Sequence, residues 1–336
     1  MRRLRTLAAG AASVPITLFG LVLITFVIGR IVPIDPVIAI VGDHAPPDVI
    51  AHVRAELGLD KPLPVQFLIY VDRLLHGNLG RSVMTTHPVT TDIAHYFPAT
   101  IELATAAILI ALAVGIPLGV FAAARQGSRF DHVVRVLSIG GQSVPVFVLG
   151  LIFLLVFYVK LGIAPGTGQQ SVIYEGMVPY VTGMHVVDAA LSGQWDAFED
   201  GLAHLALPAL VLAYYSLGYI TRMTRAYMID ALRGEYIVTA RAKGLSARRI
   251  LWRHAFGNIA VGLITVIALA YANLLSGAVL TETVFSWPGL GLYLTVSLLN
   301  ADMNAVLGAT LVVGLVYIGL NLLADLAYRL FDPRVR

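Results

Sequence analysis

The chain has 336 residues, of which 58% are hydrophobic and only 13% are Asp, Glu, Lys or Arg, about half the charged share of an ordinary soluble domain. That apolar excess is more than a soluble core hides, so an integral membrane protein is the class to expect. The absence of Cys excludes a disulfide framework, a thiolate metal site and a cysteine nucleophile, and a net charge of +3 points to no nucleic acid partner until the charges are placed.

A helix needs about 20 apolar residues to cross a bilayer core. Six stretches without Asp, Glu, Lys or Arg are long enough: 7–29, 103–124, 136–159, 201–221, 255–281 and 303–324. None shows the polar stripe of a soluble helix, so all six are predicted to span. The first follows "MRRLR" but has too long an apolar run for a signal core, with its small residues before that run, so it reads as a retained helix. Pro117, Pro145 and Pro208 lie inside spans, where neighbouring helices satisfy the freed carbonyls.

Between the first two spans, Asp48 is placed to cap a helix with Val49, Ile50, Val53 and Leu57 on one face, ended by Gly58. A second run starts at Pro64 and stops near Gly77, with Leu68, Val71, Leu74 and Leu75 on one side. Neither is long enough to span, and together they predict a collar outside the membrane. After the fifth span, "TETVFSWPGLGLY" places Phe285, Trp287 and Tyr293 around a turn forced by Pro288, Gly289 and Gly291. Spacing favours an aromatic anchor at the lipid interface over a loop dipping into a pathway.

Lys and Arg set the orientation. With the N-terminus inside, the cytoplasmic segments hold seventeen basic residues and the outer ones six, which predicts both termini inside. The basic stretch 235–258, "EYIVTARAKGLSARRILWRHAFGN", then falls on the cytoplasmic face. Tyr236, Ile237, Ala240 and Gly244 form a small-residue face on a first helix, Gly244 suits a left-handed end, and Ser246 is placed to cap a second helix that continues into the fifth span. Three readings compete: a solvated topology signal, a DNA-reading helix-turn-helix, and a docking surface for a cytoplasmic partner. The second is poor, because its second helix runs into hydrocarbon.

The spans carry no Asp, Glu, Lys or Arg and His204 sits close to a span end, so proton coupling has no residues to use; no Gly-Lys dipeptide occurs, so the phosphate-cradling loop of a nucleotide-binding chain is absent. "GQSVP" has Pro145 where a nucleophile elbow has Gly, and the nine His form no close ligand pair. No catalytic residue and no metal site are expected. A polytopic chain without an energy source is a channel, a structural protein, or half of a machine driven by another polypeptide.

The basic stretch resembles the EAA-type coupling loop of ABC importer permeases, in the dipeptide/oligopeptide/nickel branch. "LGLDKPLPVQF", "GNLGRS", "FPATIELA", "VFSWPGLG" and "NLLADLAYRLFDPRVR" are similar to other parts of that branch, in order along nearly the whole chain. Two departures stand out: Val238-Thr239-Ala240 in place of Glu-Ala-Ala, and Gly262 where the branch usually carries Pro. The resemblance implies an all-α, six-span permease of a binding-protein-dependent type I importer. It divides the chain into an N-terminal transmembrane helix (1–32), an extracytoplasmic helical segment (33–98), a transmembrane domain (99–326) with a coupling loop at 230–250, and a cytoplasmic tail (327–336).

It further implies an ATPase-coupling set of Glu235, Tyr236, Ala240, Arg241, Lys243, Gly244 and Leu245, and an extracytoplasmic loop of Phe285, Trp287, Pro288 and Gly289. The polar residues Gln142, Ser143, Tyr214, Tyr215, Asn273 and Ser276 are expected to face a subunit interface along the pathway, because polar groups in hydrocarbon need partners. The implied partners are a second homologous permease chain (a heterodimer), two cytoplasmic ATPase subunits or a fused pair that bind the ATP and Mg²⁺, an extracytoplasmic binding protein and membrane lipid. No cofactor is expected in this chain and no nucleic acid. The expected place is the bacterial cytoplasmic membrane. The expected cargo is a di- or oligopeptide, the alternatives being nickel, haem or another small chelate, or a self-contained channel.

Overall fold

The computed structural model describes residues 2–31, 36–42, 44–56 and 58–331. Leu57, the Gln142 side chain and the last five residues of the C-terminal motif lie outside the described residues. The described residues are helical almost throughout. In chain order the helices are α1 (Arg2–Ile31), α2 (Pro36–Val41), α3 (Pro47–Glu56), α4 (Leu63–Leu75), α5 (Val89–Ala124), α6 (Arg129–Ser143), α7 (Val146–Phe153), α8 (His185–Leu191), α9 (Trp195–Leu232), α10 (Glu235–Ala242), α11 (Ala247–Arg249), α12 (Phe256–Phe285), α13 (Leu290–Leu299) and α14 (Met303–Phe331). Two π-helical stretches, Leu154–Lys160 after α7 and Ile250–Ala255 before α12, and a 3-10 turn at Val172–Tyr174 join them.

Four helical runs are long and apolar enough to cross a membrane: Val89–Ala124, Trp195–Leu232, Ala247–Phe285 and Met303–Leu323. Shorter apolar helices cover Pro15–Arg30 and Val146–Lys160. The third predicted span, 136–159, is therefore not one helix. It stops at Ser143, Val144 is extended (φ −98°, ψ 128°), and Pro145 precedes the restart at Val146. Proline removes a helical N–H, collides with the carbonyl four residues back, and drives the residue before it out of the helical region. Pro117 and Pro208, by contrast, remain inside α5 and α9.

The chain forms two compact units, Met1–Phe97 with Gly289–Ile318, and Pro98–Pro288 with Gly319–Arg336. In the first, Val89 and Ile93 pack with Leu290, Tyr293, Ala305 and Ala309. Asp302 is fully buried. One of its oxygens accepts from the Ser82 hydroxyl (2.6 Å) and the Val83 N–H (2.8 Å), and the other accepts from the Ala305 N–H at the start of α14 (3.2 Å). One carboxylate thus caps a helix and fixes the 80–88 loop, as an N-cap side chain does for orphan N–H groups. Helix α4 docks on α1 through Phe67 against Phe19 and Phe26, with Tyr70 beside Phe26. The face predicted for α4 is corrected: Leu68 and Leu75 are exposed, and the buried residue is Gln66. Nor does Asp48 cap α3, which starts one residue earlier at Pro47 and has no buried residue.

In the second unit, small residues let helices approach closely. A Cβ at Gly119 would lie 2.7 Å from the Thr224 Cβ and 2.8 Å from the Thr221 carbonyl, and one at Gly115 3.2 Å from the Thr221 hydroxyl. Gly115 and Gly119 form a GxxxG pair on α5, the small-residue pattern that membrane helices use to pack. On α9, a side chain at Gly218 would run into the Ser138 carbonyl of α6.

Glu102 and Glu282, which flank the predicted spans 103–124 and 255–281, are not exposed to water. Glu282 is fully buried in the last turn of α12 and accepts the Thr100 hydroxyl (2.7 Å). Glu102 is buried in α5 and accepts the Val186 N–H (2.8 Å) and the Gln169 amide (3.1 Å).

Candidate functional site

The basic stretch folds as a short helix, a sharp turn and a long helix. Helix α9 ends at Leu232, and Gly234 takes an extended conformation (φ −66°, ψ 145°) that opens α10. A Cβ at Gly234 would run into the Tyr236 ring, so glycine lets that ring lie against the re-entry. Gly244 then adopts φ +72°, where L-residues are strained. Its N–H donates to the Arg241 carbonyl (2.9 Å), and the Leu245 N–H donates to the Ala240 carbonyl (3.2 Å). This pair of bonds is a Schellman closure, which satisfies carbonyls that a helix end leaves orphaned. Ser246 sits at the N-cap position of α11 but makes no side-chain cap bond; its carbonyl accepts from the Ile250 N–H (3.0 Å).

The inner side of α10 is bolted to its own chain. Ile237 and Ala240 are buried in a cluster with Val120 and Ala123 of α5, Met228 and Ala231 of α9, and Ile250, Ala255, Ile259 and Leu263. Leu245 and Trp252 pack at its edge, and the Asn258 amide donates to the Tyr236 hydroxyl (3.2 Å). Of the predicted small-residue face, Ile237 and Ala240 pack in this intramolecular core, while Tyr236 and Gly244 remain exposed. Burial of these apolar surfaces, at about 25 cal/mol per Å², holds the helix against α5, α9 and α12.

The outer side is a different surface. Glu235, Val238, Thr239, Arg241, Ala242, Lys243 and Gly244 are exposed, and Tyr236 is 40% exposed. Arg248, Arg249 and Arg253 are exposed beyond the turn. A hollow of about 400 Å³ lies beside α10, with Arg241 on its wall and Ala124, Leu232, Leu245 and Ile250 among its apolar lining. The surface offers positive charge around an apolar depression, which suits an acidic or mixed protein face.

Behind the site, Asp131 on α6 and Arg225 on α9 form a bidentate ion pair at 2.6 and 2.8 Å, with the aspartate side chain 1% exposed. Asp131 also accepts the Gly127 N–H (3.0 Å), and its own N–H donates to the Ser128 hydroxyl (3.2 Å). The Arg225 hydrogen bonds hold the Asp131 carboxyl down at about 2, against the upward push of burial. Reading the chain in order does not reveal this pair, whose members stand 94 residues apart.

Five of the six polar residues expected along a pathway have described side chains. Tyr215, Asn273, Ser276 and Ser143 are exposed, and Tyr214 is half-buried. The hydroxyls of Ser143 and Ser276 donate to the Ile139 (3.0 Å) and Ala272 (3.2 Å) carbonyls of their own helices. The Tyr214 hydroxyl donates to the Leu137 carbonyl at 3.4 Å. Local bonding therefore satisfies three of these residues, while Asn273 and Tyr215 are left presenting polar groups outward.

The extracytoplasmic loop also departs from expectation. Trp287 is fully buried and donates from Nε1 to the Ala99 carbonyl (2.9 Å); Phe285 is 2% exposed and packs with Leu207 and Val211. Ser286, left-handed at φ 51°, turns the chain at the end of α12. Neither aromatic is a lipid-surface anchor. Pro288 and Gly289 lead directly into α13. Tyr293 is buried too, donating to the Asp92 carboxylate (2.9 Å). Burial and that carboxylate push its phenol well above its ordinary range. Among the described residues no group of three His, Asp or Glu side chains is arranged to hold a metal ion.

Two family models cover most of the chain: the binding-protein-dependent transport system inner membrane component over residues 115–336, and the N-terminal part of such a membrane component over 3–104. The chain belongs to this family. It is accordingly a transport permease chain of the inner membrane, built from the helices described above. Among named relatives, it is similar to the probable D,D-dipeptide transport system permease protein DdpB of Escherichia coli (strain K12), with 44% identity over 94% of this chain and 93% of the relative. The di/tripeptide transport system permease protein DppB of Pseudomonas aeruginosa (strain UCBPP-PA14) is 42% identical over 95% of each chain. The dipeptide transport system permease protein DppB of Alkalihalophilus pseudofirmus is 36% identical, again over 95% of each. With coverage this complete, α10 and its turn belong to the body shared with these permeases.

Proposed function

We propose that this permease is one half of the translocation pathway of an ATP-driven importer of di- and oligopeptides, and that the exposed side of α10 docks on a cytoplasmic ATPase subunit. The observation that carries the docking is the two-sidedness of α10: Ile237 and Ala240 lock it into the core, while Glu235, Arg241 and Lys243 stand free on the other side. A helix held on one side and closed by the Gly244 turn moves with the long helix 247–285, so a push on α10 reaches the membrane span. Tyr236 and Leu245 position it, and Val238 and Thr239, at the family's Glu-Ala positions, are exposed to a partner.

The ATPases would bind ATP and Mg²⁺. A second permease chain would meet the outward Tyr215 and Asn273, with Ser143, Ser276, Tyr214 and Gln142 nearby along the path, and an extracytoplasmic binding protein would deliver cargo. The peptide cargo is supported by the names of relatives at 42% and 44% identity. The excess of basic residues in the predicted inner segments supports cytoplasmic termini.

The assembled complex in proteoliposomes is expected to take up a labelled dipeptide only with ATP and its binding protein, and uptake should compete with unlabelled dipeptide but not with nickel or haem. Competition by nickel alone would move the chain to the chelate branch of the family. In the same preparation a Cys placed at Ser246 should react with an impermeant thiol reagent only from the cytoplasmic face.

A further inference from the structure

The first compact unit holds a cavity that peptide transport does not explain. Its volume is about 770 Å³, and three guanidinium groups line it, those of Arg30, Arg73 and Arg81, with Glu56 as the one acid. Among the described residues no carboxylate comes within ion-pair distance of any of the three. The Arg73 charge repels that of Arg30. Gathering like charges in this way is unfavourable unless an anion joins them.

The arginines are nonetheless held in place. The Arg30 Nε donates to the Gln66 Oε1 (2.8 Å), and its guanidinium lies 5.1 Å from the Phe26 ring centroid. Gln66 is itself buried, donating to the Leu59 and Lys61 carbonyls at 3.2 and 2.7 Å. Arg73 reaches the Glu56 carbonyl (3.4 Å). Arg81 rides on a loop pinned on both sides: its carbonyl accepts the Asn304 amide (2.9 Å), and Asp302 holds Ser82 and Val83 next to it. Tyr70, Asn78, Ser82 and Thr86 add neutral polar groups to the wall. Preset donors of this kind match a tetrahedral oxyanion, which takes forked N–H pairs from arginine.

The surroundings indicate the source of the anion. Helices α1 and α4, which carry Arg30 and Arg73, expose Ile24, Val27, Ile28, Leu68 and Leu75. A smaller hollow of about 70 Å³ adjoins the cavity, sharing Tyr70 and Arg73 and lined by Leu74, Leu79 and Leu307. Charged donors next to exposed aliphatic surface are what a lipid headgroup with its acyl chains requires. We propose that this cavity binds the phosphate of an anionic phospholipid, with Arg30, Arg73 and Arg81 as its ligands and the apolar surface of α1 and α4 against its acyl chains.

The test is native mass spectrometry of the full chain in detergent, titrated with dioctanoyl-phosphatidylglycerol. Saturable binding is expected, at least about tenfold tighter than that of dioctanoyl-phosphatidylcholine. Arg73→Gln with Arg81→Gln should remove that preference, and Arg73→Lys with Arg81→Lys should retain much of it. Arg81→Gln alone, an exposed substitution, covers a double variant that fails to fold and should still weaken binding about threefold or more. Equal binding of the two lipids, or a preference unchanged in the Gln variants, overturns the site. Displacement by inorganic phosphate at matched concentration would make it a free-anion site, and displacement by dialanine a peptide-carboxylate site; either result overturns the lipid assignment.

Discussion

Gly244→Val is expected to uncouple the transporter while leaving the membrane spans inserted. The residue sits at φ +72° with no atom within 4 Å of an added Cβ, so the substitution acts through backbone strain rather than through a clash at Cβ. A β-branched residue in the left-handed region costs about 1–2 kcal/mol or more, comparable with what the two closing hydrogen bonds contribute. The Schellman turn should open, and α10 should lose its fixed angle to the long helix 247–285. Substrate-stimulated ATPase activity of the reconstituted complex should fall by about tenfold or more, a drop of at least 1.4 kcal/mol in coupling. Gly244→Asn is the control, because Asn visits the left-handed region at low cost, and it should retain most activity. Normal ATPase activity and normal ATPase copurification with Gly244→Val would reduce the basic stretch to a topology signal. Arg241→Glu changes charge without touching the turn, so its defect should be milder unless Arg241 meets an acid of the partner directly.

Arg225→Met should be the most destabilising single change considered, by about 3–5 kcal/mol, because it leaves the buried Asp131 charge without its partner. The pH dependence carries a sign that distinguishes this from loss of packing. In the unmodified protein the Asp131 carboxyl is held at about 2, below its ordinary 3.8. A depressed folded value means that its contribution is fully present above about pH 4 and is lost as pH falls toward 2. In Arg225→Met the same carboxyl is buried without a counter-charge, its pKa should rise, and acidification should now favour the fold. Thermal unfolding of the detergent-solubilised chain between pH 7 and pH 4 should therefore show the variant's deficit shrinking as pH falls. The pair Asp131→Asn with Arg225→Met should be less harmful than Arg225→Met alone. A deficit that is constant over that range would assign the loss to packing. Since the pair ties α6 to the stretch of α9 that leads into α10, its weakening should also lower coupling.

Much of this architecture is legible in composition and local pattern. Spans show as uninterrupted apolar runs because hydrocarbon excludes unpaired charge, whatever the neighbours are. The Gly244 turn shows because only glycine takes a left-handed backbone freely, and the helix before it and the helix after it are both encoded in nearby residues. The family resemblance shows for the same reason: its motifs are short and contiguous.

What only the tertiary structure decided is which side each residue faces. Trp287 reads from its spacing as an interfacial anchor; its bond to the Ala99 carbonyl, 188 residues away, makes it a core residue instead. Ala240 and Arg241 are neighbours in the sequence, yet Ala240 is consumed by a core drawn from α5, α9 and α12 while Arg241 is left outside. Glu102, Glu282 and Asp302 read as span-end charges, and each is instead buried against polar groups from distant segments. The three arginines of the cavity are scattered over residues 30–81 and acquire a common purpose only when α1, α4 and the loop before α5 are packed. Hydrophobicity and backbone preference are properties of a residue and its near neighbours, so the sequence alone displays them. Burial, hydrogen-bond partners and shared cavities are properties of pairs far apart in the chain, and they exist only once the helices have met.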